Sequence, residues 1–430
     1  MTVKAVPFDG KIVTGIADSQ QEPAWLRRLR EEGLNRYSEQ PLPKLDKTKI
    51  DKWNIDDFTP VKEEKAIDSY DLLPEEIKNL VEDGSAGVIV QKNGTVIFSQ
   101  LNDQLKDKGV ILSSLSQAVK EQEELVQGHL FKSGVTDHKL TSLHQALWSG
   151  GAFIYVPKNV EVSEPIHVFQ WLEGDSLGML PHMLVITDVN SSVVVAENVI
   201  ETKSQSSVMN GMVEVFAKDG ARVKFSSVRS LGSTVTDYLY RTGVTGKDAS
   251  IQWALGDMNH GNTVANTQTF LKGKGSNTKV YSVAIGNEKQ KENFVSHVIH
   301  EATHTDSDVL SKGVMFGEAT AIFNGITKIE KGAEKSNGQQ AEKLLIISEK
   351  ARGDANPILL IDEDDVMAGH AASAGPVDEN QLYYLMSRGI SRKEAERLMI
   401  YGFLSPVIDL LPGEKMKTRL NTLIEGKLSI

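Results

Sequence analysis

The sequence predicts a mainly β protein flanked by helical regions at both ends. Three observations predict it. From residue 151 to about 348, short runs rich in Val, Ile, Thr, Phe and Ser alternate with turn residues. Apolar residues before and after that stretch recur at helical spacing. No low-complexity linker separates the textures, which divide the chain into a mixed helical region at 1–150, a β core at 151–375 and a helical domain at 376–430.

In the first region Glu22-Pro23 opens a helix in which Trp25, Leu26, Leu29 and Tyr37 share a face, and Pro41 and Pro43 end it. Asn93-Gly94 lies between two β-prone runs at 88–91 and 95–99, a hairpin signal because both residues tolerate positive φ. Residues 113–131 return to helical periodicity, with Glu121, Glu123 and Glu124 on a solvated face. In the β core, turns are expected near Asn190, Asn198, Asn210-Gly211, Asp219-Gly220, Gly232, Gly246, Gly261, Gly273, Gly286, Gly317 and Asn324-Gly325. A spacing of mostly about 8 to 14 residues suits a sandwich, a barrel or a solenoid, and periodicity alone does not choose among them. In the last region Asp378 is an N-cap, Gly389 a C′ glycine, and Ser391 with Glu394 a capping box. Ala395, Leu398, Met399 and Phe403 are expected to line one face. Pro406 and Pro412 punctuate the chain before a final helix carrying Met416, Leu420, Leu423 and Ile424.

Composition narrows the function classes. The chain has 430 residues, 40% hydrophobic and 24% charged, an ordinary globular balance with ample length for a large core. A net charge of −11 argues against a general nucleic-acid binder and against a polybasic membrane anchor. There is no cysteine, hence no disulfide, thiolate ligand or cysteine nucleophile. Any metal must be held by His, Asp, Glu, backbone oxygen or a ligand from another chain. The N-terminus lacks the apolar core of a signal peptide, and no run approaches the roughly 18 apolar residues of a membrane span, so the expected address is the cytoplasm.

Few residues suggest chemistry outright. His297, His300 and His304 form the densest histidine cluster, and on a helix they would share one face as in a zinc site. Their β-like flanks would instead scatter them over both faces of a sheet, which favours surface or core histidines. Gly256, Gly261, Gly273 and Gly275 are not followed by a Gly-Lys-Ser/Thr run and read as turn glycines. There is no Gly-x-Ser-x-Gly elbow. Asp362, Glu363, Asp364 and Asp365 read as a solvated loop, with metal gathering as the alternative. His370 sits among small residues in MAGHAASAG, a setting that allows close approach of another backbone, although spacing alone favours a structural histidine.

Several long segments, in order, carry a resemblance. SDVLSKGVMFGEATAIFNGITKI (307–329), QQAEKLLIISEKA (339–351), NPILLIDEDDVMAGHAASAGPVDENQLYYLMSRGI (356–390), KEAERLMIYGF (393–403) and EPAWLRRLREEGLNRYSEQPLP (22–43) resemble the SufB/SufD family of iron–sulfur cluster assembly proteins. The resemblance implies a central right-handed parallel β-solenoid between N-terminal and C-terminal helical regions. It implies a non-catalytic scaffold of a SufBCD complex, pairing with SufB and binding the ABC-type ATPase SufC. A homodimer of the isolated chain is a further expectation, as is an unpaired strand edge near 316–348 where such pairing would occur. The isolated chain should hold no tight cofactor. A transient iron–sulfur cluster, and FAD as a further candidate, would belong to the complex.

The missing cysteine points to the SufD branch. Where the SufB branch supplies a thiolate, this chain has Ala351; where the SufD branch supplies a histidine in a His-Gly-Ala-Thr-like motif, it has His370 followed by Ala-Ala-Ser. The drift at Ala371 to Ser373 leaves the histidine as the matching position for a nascent cluster shared with the partner. The helices at 378–388 and 391–403 are expected to meet SufC through Leu382, Leu385, Arg388, Leu398 and Phe403. The competing classes are a metal-dependent hydrolase using His297, His300 and His304, and a polysaccharide-active solenoid enzyme, which would need acidic and basic clusters along a groove and usually a secretion signal.

Overall fold

A computed structural model describes residues 8–60, 64–135 and 138–428. Its centre is a parallel β-solenoid. The chain alternates between two sheets, so each strand stacks on the strand laid down one turn earlier. In the first sheet the run is Ala152–Val156, His182–Thr187, Val208–Ala217, Thr236–Thr245, Thr263–Leu271, Lys291–His300, Thr320–Ile329 and Arg352–Ile361. In the second it is Glu161–Leu172, Ser192–Glu201, Arg222–Ser230, Ser250–Asp257, Asn277–Gly286, Asp306–Met315, Asn337–Ile346 and Met367–Gly375. The hairpin read from Asn93-Gly94 is present: Gly87–Lys92 pairs antiparallel with Thr95–Leu101, and both turn residues have positive φ. Gly87–Lys92 also pairs parallel with Glu161–Leu172, which builds this part of the N-terminal region into the solenoid sheet.

In-register parallel pairing stacks like on like. Phe225 stands on Trp253, followed by Val280 and Val309, and the two aromatic ring centroids are 5.2 Å apart. Aliphatic side chains from both sheets fill this part of the interior. The outer faces are covered too. Ala24–Glu39 and Lys139–Leu147 lay Tyr37, Leu140, Leu143 and Leu147 against Met212, Tyr238 and Tyr240 of the first sheet. Arg392–Ile408 and Glu414–Leu428 lay Ile400, Leu404, Val407, Leu420 and Ile424 against Val228, Ala254, Val283 and Val314 of the second. Strands buried on both faces lose the apolar–polar alternation of a half-exposed sheet, which is why periodicity left the β architecture open.

Several expectations are corrected. Asn198, Asn210-Gly211 and Asn324-Gly325 lie inside strands, not in turns. Their side chains are used inside the fold: Asn210 donates to Leu140 O, and Asn198 accepts from Arg419. The 113–131 helix is two, Leu115–Glu121 and Glu123–His129, divided at Gln122, whose backbone leaves the helical region. Pro406 lies within Arg392–Ile408. That helix buries Ala395, Ile400, Leu404 and Val407, while Leu398 points outward, so the expected face is rotated. The edge near 316–348 is covered within the chain, because Arg352–Ile361 pairs with Thr320–Ile329 and Met367–Gly375 with Asn337–Ile346. The open edge lies one turn further on.

Candidate functional site

Among the described residues, no further strand covers the C-terminal end of the solenoid. Arg352–Ile361 and Met367–Gly375 each pair on one side only, and Ile358, Leu360, Ile361 and Met367 are exposed, the last at 65%. Partnered residues of parallel strands point to the same face, so the preceding turn tells which side chains face the interior. Gln340 is buried and reaches across the interior, donating to Gly325 O and Ile358 O at 3.3 Å and accepting from Thr327 Oγ1 at 2.8 Å. His370 stands opposite Gln340 and continues that inward column; it is exposed because no further turn covers it. Ala372 continues the column of Glu342, and Ala374 that of Leu344. Across the opening, Ala355, Pro357 and Leu359 continue Phe323, Gly325 and Thr327. Of these six residues at the mouth, only His370 ionises.

One turn below lies a residue that sequence reasoning missed. Glu342 is 1% exposed, and neither carboxylate oxygen has a hydrogen-bond partner from another described residue. Burial pushes its carboxyl up to about 7. QQAEKLL gives no warning, since Gln339 and Lys343 on the outward side are as polar as Gln340 and Glu342 on the inward side.

The other sequence candidates fall in different places. Ala351 is half-buried beside the Phe294–Phe323 cluster. The acidic run links the last two strands. Glu363 accepts from the Gly332 and Asp364 amides, which hold it down to about 2, and Asp365 pairs with Lys335, so the run is a structured loop. The metal reading of His297, His300 and His304 finds no support. His300 is buried with its ring nitrogens 2.7 Å from Thr305 Oγ1 and 2.8 Å from Ser307 Oγ, His297 faces Gln268, and His304 is exposed in a turn. Among the described residues no three His, Cys, Asp or Glu side chains gather to hold a metal ion.

On the C-terminal helices Leu382 is a core residue, contrary to its expected place on a docking face. Leu385 is half-buried and Arg388 is exposed, its guanidinium 5.1 Å from the Tyr384 ring centre. Leu398 is exposed, and Phe403 is half-buried beneath Lys312. The exposed apolar surface of Glu379–Ser387 is instead Tyr383, Tyr384 and Met386, with Tyr383 at 73%.

Two further buried clusters tie the outer layers to the solenoid. His144 Nδ1 lies 2.8 Å from Asn210 O, His144 Nε2 lies 3.1 Å from His182 Nδ1, and His182 Nε2 lies 3.1 Å from Glu214, which also accepts from the Phe131 and Ser133 amides. On the opposite side Lys427 of the last helix donates to Asn259 O and to Gln290 Oε1, beside the buried carboxyl of Glu292.

Comparison with known proteins gives this geometry a family. Residues 170–403 match the family described as SUF system FeS cluster assembly, SufBD core domain, and residues 17–168 match the SufBD protein N-terminal region. The iron–sulfur cluster assembly protein SufD of Bacillus subtilis is 44% identical over 98% of both chains. The SufB protein of the same organism is 28% identical over 97% of this chain and 92% of its own. A SufBD family protein of Staphylococcus epidermidis is 29% identical over the same shares. With both family regions matched in order along a two-sheet solenoid clasped by helices at each end, the chain belongs to the SufBD family of iron–sulfur cluster assembly proteins.

Proposed function

We propose that this chain is a non-catalytic scaffold subunit of iron–sulfur cluster assembly that pairs with a SufB-type subunit through the open end of its solenoid. The observation that carries the reading is that open end. Two parallel strands there have, among the described residues, no strand on their outer edge, and they carry exposed Ile358, Leu360, Ile361 and Met367. A second solenoid would continue both sheets and pair the backbone groups of that edge, stacking in register on Ile361 at the interior and on Ile358, Leu360 and Met367 along the outer faces. His370 would then lie at the joint as a donor toward a nascent cluster, which is cargo. Imidazole is a fair iron ligand, and a chain without cysteine leaves the sulfur ligands to its partner. The C-terminal helices, with Tyr383, Tyr384, Met386 and Leu398 exposed, are the surface for a SufC-type ATPase. Likeness to SufD along almost the whole chain supports each part. Among the described residues, no helix is long and apolar enough to cross a membrane.

Co-expression with SufB and SufC from the same genome tests the reading. The full chain should co-purify with both. Ile358→Asp combined with Leu360→Asp should lose SufB and keep SufC, whereas Tyr383→Ala combined with Tyr384→Ala should do the reverse. His370→Ala should keep both partners and cut maturation of iron–sulfur targets at least tenfold. Normal maturation by His370→Ala, or SufB binding by the double aspartate variant, would refute the assignment of the open end.

A further inference from the structure

We propose that Glu342 is a cation-binding carboxylate that holds a divalent first-row metal ion at the open end of the solenoid, with Gln340 and His370 as neighbouring donors. The inference deepens the reading of the open end and rests on it for the part given to His370.

Glu342 has the burial of a core residue, and neither oxygen has a partner from another described residue. A buried polar group left unpaired costs about 1 to 3 kcal/mol, and more when charged, so such a group in a folded protein calls for an explanation. Opposite it stands Gly325. A Cβ there would collide with Glu342 Oε1 and come within 3.4 Å of Gln340 Oε1, so two acceptor oxygens from neighbouring inward positions converge on the space that the glycine leaves. Gln340 Oε1 takes one hydrogen bond, from Thr327, and an amide oxygen has a second lone pair to give. Acceptors that converge without a donor between them suit a cation.

The turn above keeps the place open. Ala372 follows Glu342 in register and Pro357 follows Gly325, neither carrying a group that could pair with the carboxylate. His370 follows Gln340, two residues along the neighbouring strand from the Glu342 column. Strand spacing and rise put the Cα atoms of His370 and Glu342 roughly 8 Å apart, a span that two inward side chains of this length can close onto one ion. Carboxylate, amide oxygen and imidazole are donors that suit divalent iron and its neighbours in the first transition row. They leave coordination positions free toward the opening. A lysine or arginine from a partner is the rival occupant, but Glu342 lies beneath Ala372 and Pro357, where a small ion fits better than a side chain.

Anaerobic titration of the full chain with Co2+, followed by its visible absorption, tests the site. Wild-type protein should bind, and Glu342→Gln, which keeps the shape and removes the charge, should weaken binding at least tenfold. His370→Ala should weaken it by a smaller factor. Gly325→Ala, which sets a methyl against the carboxylate, should weaken it too, with circular dichroism confirming the fold of each variant. Absence of Co2+ binding by wild type at millimolar metal, or equal binding by Glu342→Gln, would overturn the proposal. Glu342→Gln should still co-purify with SufB and SufC. If wild type fails to co-purify while the titration succeeds, the pairing reading falls and the metal site stands.

Discussion

Glu342→Gln should make the metal-free protein more stable at pH 8 and leave it nearly unchanged at pH 4.5. Burial raises the carboxyl from an ordinary 4.5 to about 7. Its inward neighbours in register, Ser311 and Ala372, are uncharged, as are Gln340 beside it and Gly325 opposite, so desolvation is not offset by an opposite charge. Because the folded value lies above the unfolded one, the fold prefers the protonated acid. Stability is therefore complete below the ordinary carboxyl range, falls as pH rises from about 4.5 to about 7, and stays low above that. At 1.36 kcal/mol per pH unit the full loss is about 3 kcal/mol, an upper value because water reaching an opened end turn would reduce it. Glutamine mimics the neutral acid and should recover most of that loss at pH 8. Solenoids do not always unfold as one unit, so the local readout is the better assay: amide hydrogen exchange along Asn337–Ile346, in chelator, at pH 5 and at pH 8. Protection should rise in the variant at pH 8 only, and a saturating divalent cation should raise wild type toward it. Equal protection in both proteins at pH 8, or loss of protection in the variant, would refute the argument.

Two other buried groups give separate tests. Lys427→Met should remove the hydrogen bonds to Asn259 O and Gln290 Oε1 and a positive charge near the Glu292 carboxyl, which burial has already pushed up to about 7, and should cost about 1 to 3 kcal/mol locally; limited proteolysis should then release Glu414–Leu428 first. Burial pushes Glu214 up, but hydrogen bonds from His182, Ser133 and Phe131 outweigh it and hold the carboxyl below its ordinary value. Its contribution is therefore present above the ordinary carboxylate range and lost as pH falls through the lowered value, so Glu214→Gln should destabilise by about 2 to 4 kcal/mol at pH 7 and by much less at pH 3 in chemical denaturation.

The elements that were legible are those whose signals are local. Asn93-Gly94 requires positive φ at both positions, and no tertiary contact changes that requirement. Asp378, through its side chain, and Gly389, through its positive φ, punctuate a helix by local chemistry alone, and both do so here. What failed depended on contacts across the solenoid. Asn210 and Asn324 carry turn chemistry, yet each lies in a strand where its side chain has a buried partner: Leu140 O for Asn210, and the adjacent turn for Asn324. Gly325 reads as a turn glycine, but a carboxylate from the opposite sheet occupies the space its missing side chain leaves. Spacing groups Leu398 with Ala395, Met399 and Phe403, but this helix has no sharp apolar face, and only the docked sheet decides that the side of Ile400, Leu404 and Val407 is inside.

The same limit governs the site. In a solenoid every inward residue has a neighbour above and below, so a polar residue there can be satisfied along the stack with no trace in its own segment. Ser282 and Ser311 do this, bonding to each other at 3.1 Å in the column that leads to Glu342. At the last turn the stack stops, and a polar residue loses the partner that another turn would supply. His370 and Glu342 are the two ionisable side chains of these end columns, one open to solvent and one a turn beneath it. Spacing along the chain could not reveal this, because the feature that singles them out is the absence of a next turn. Resemblance singled out His370, since family pattern records a position whatever its cause. Glu342 needed the register, which alone shows that it and His370 look into the same opening. A partner solenoid that supplied the missing turn would close that opening over both residues at once, and this is why the pairing surface and the proposed metal site are to be sought in one place.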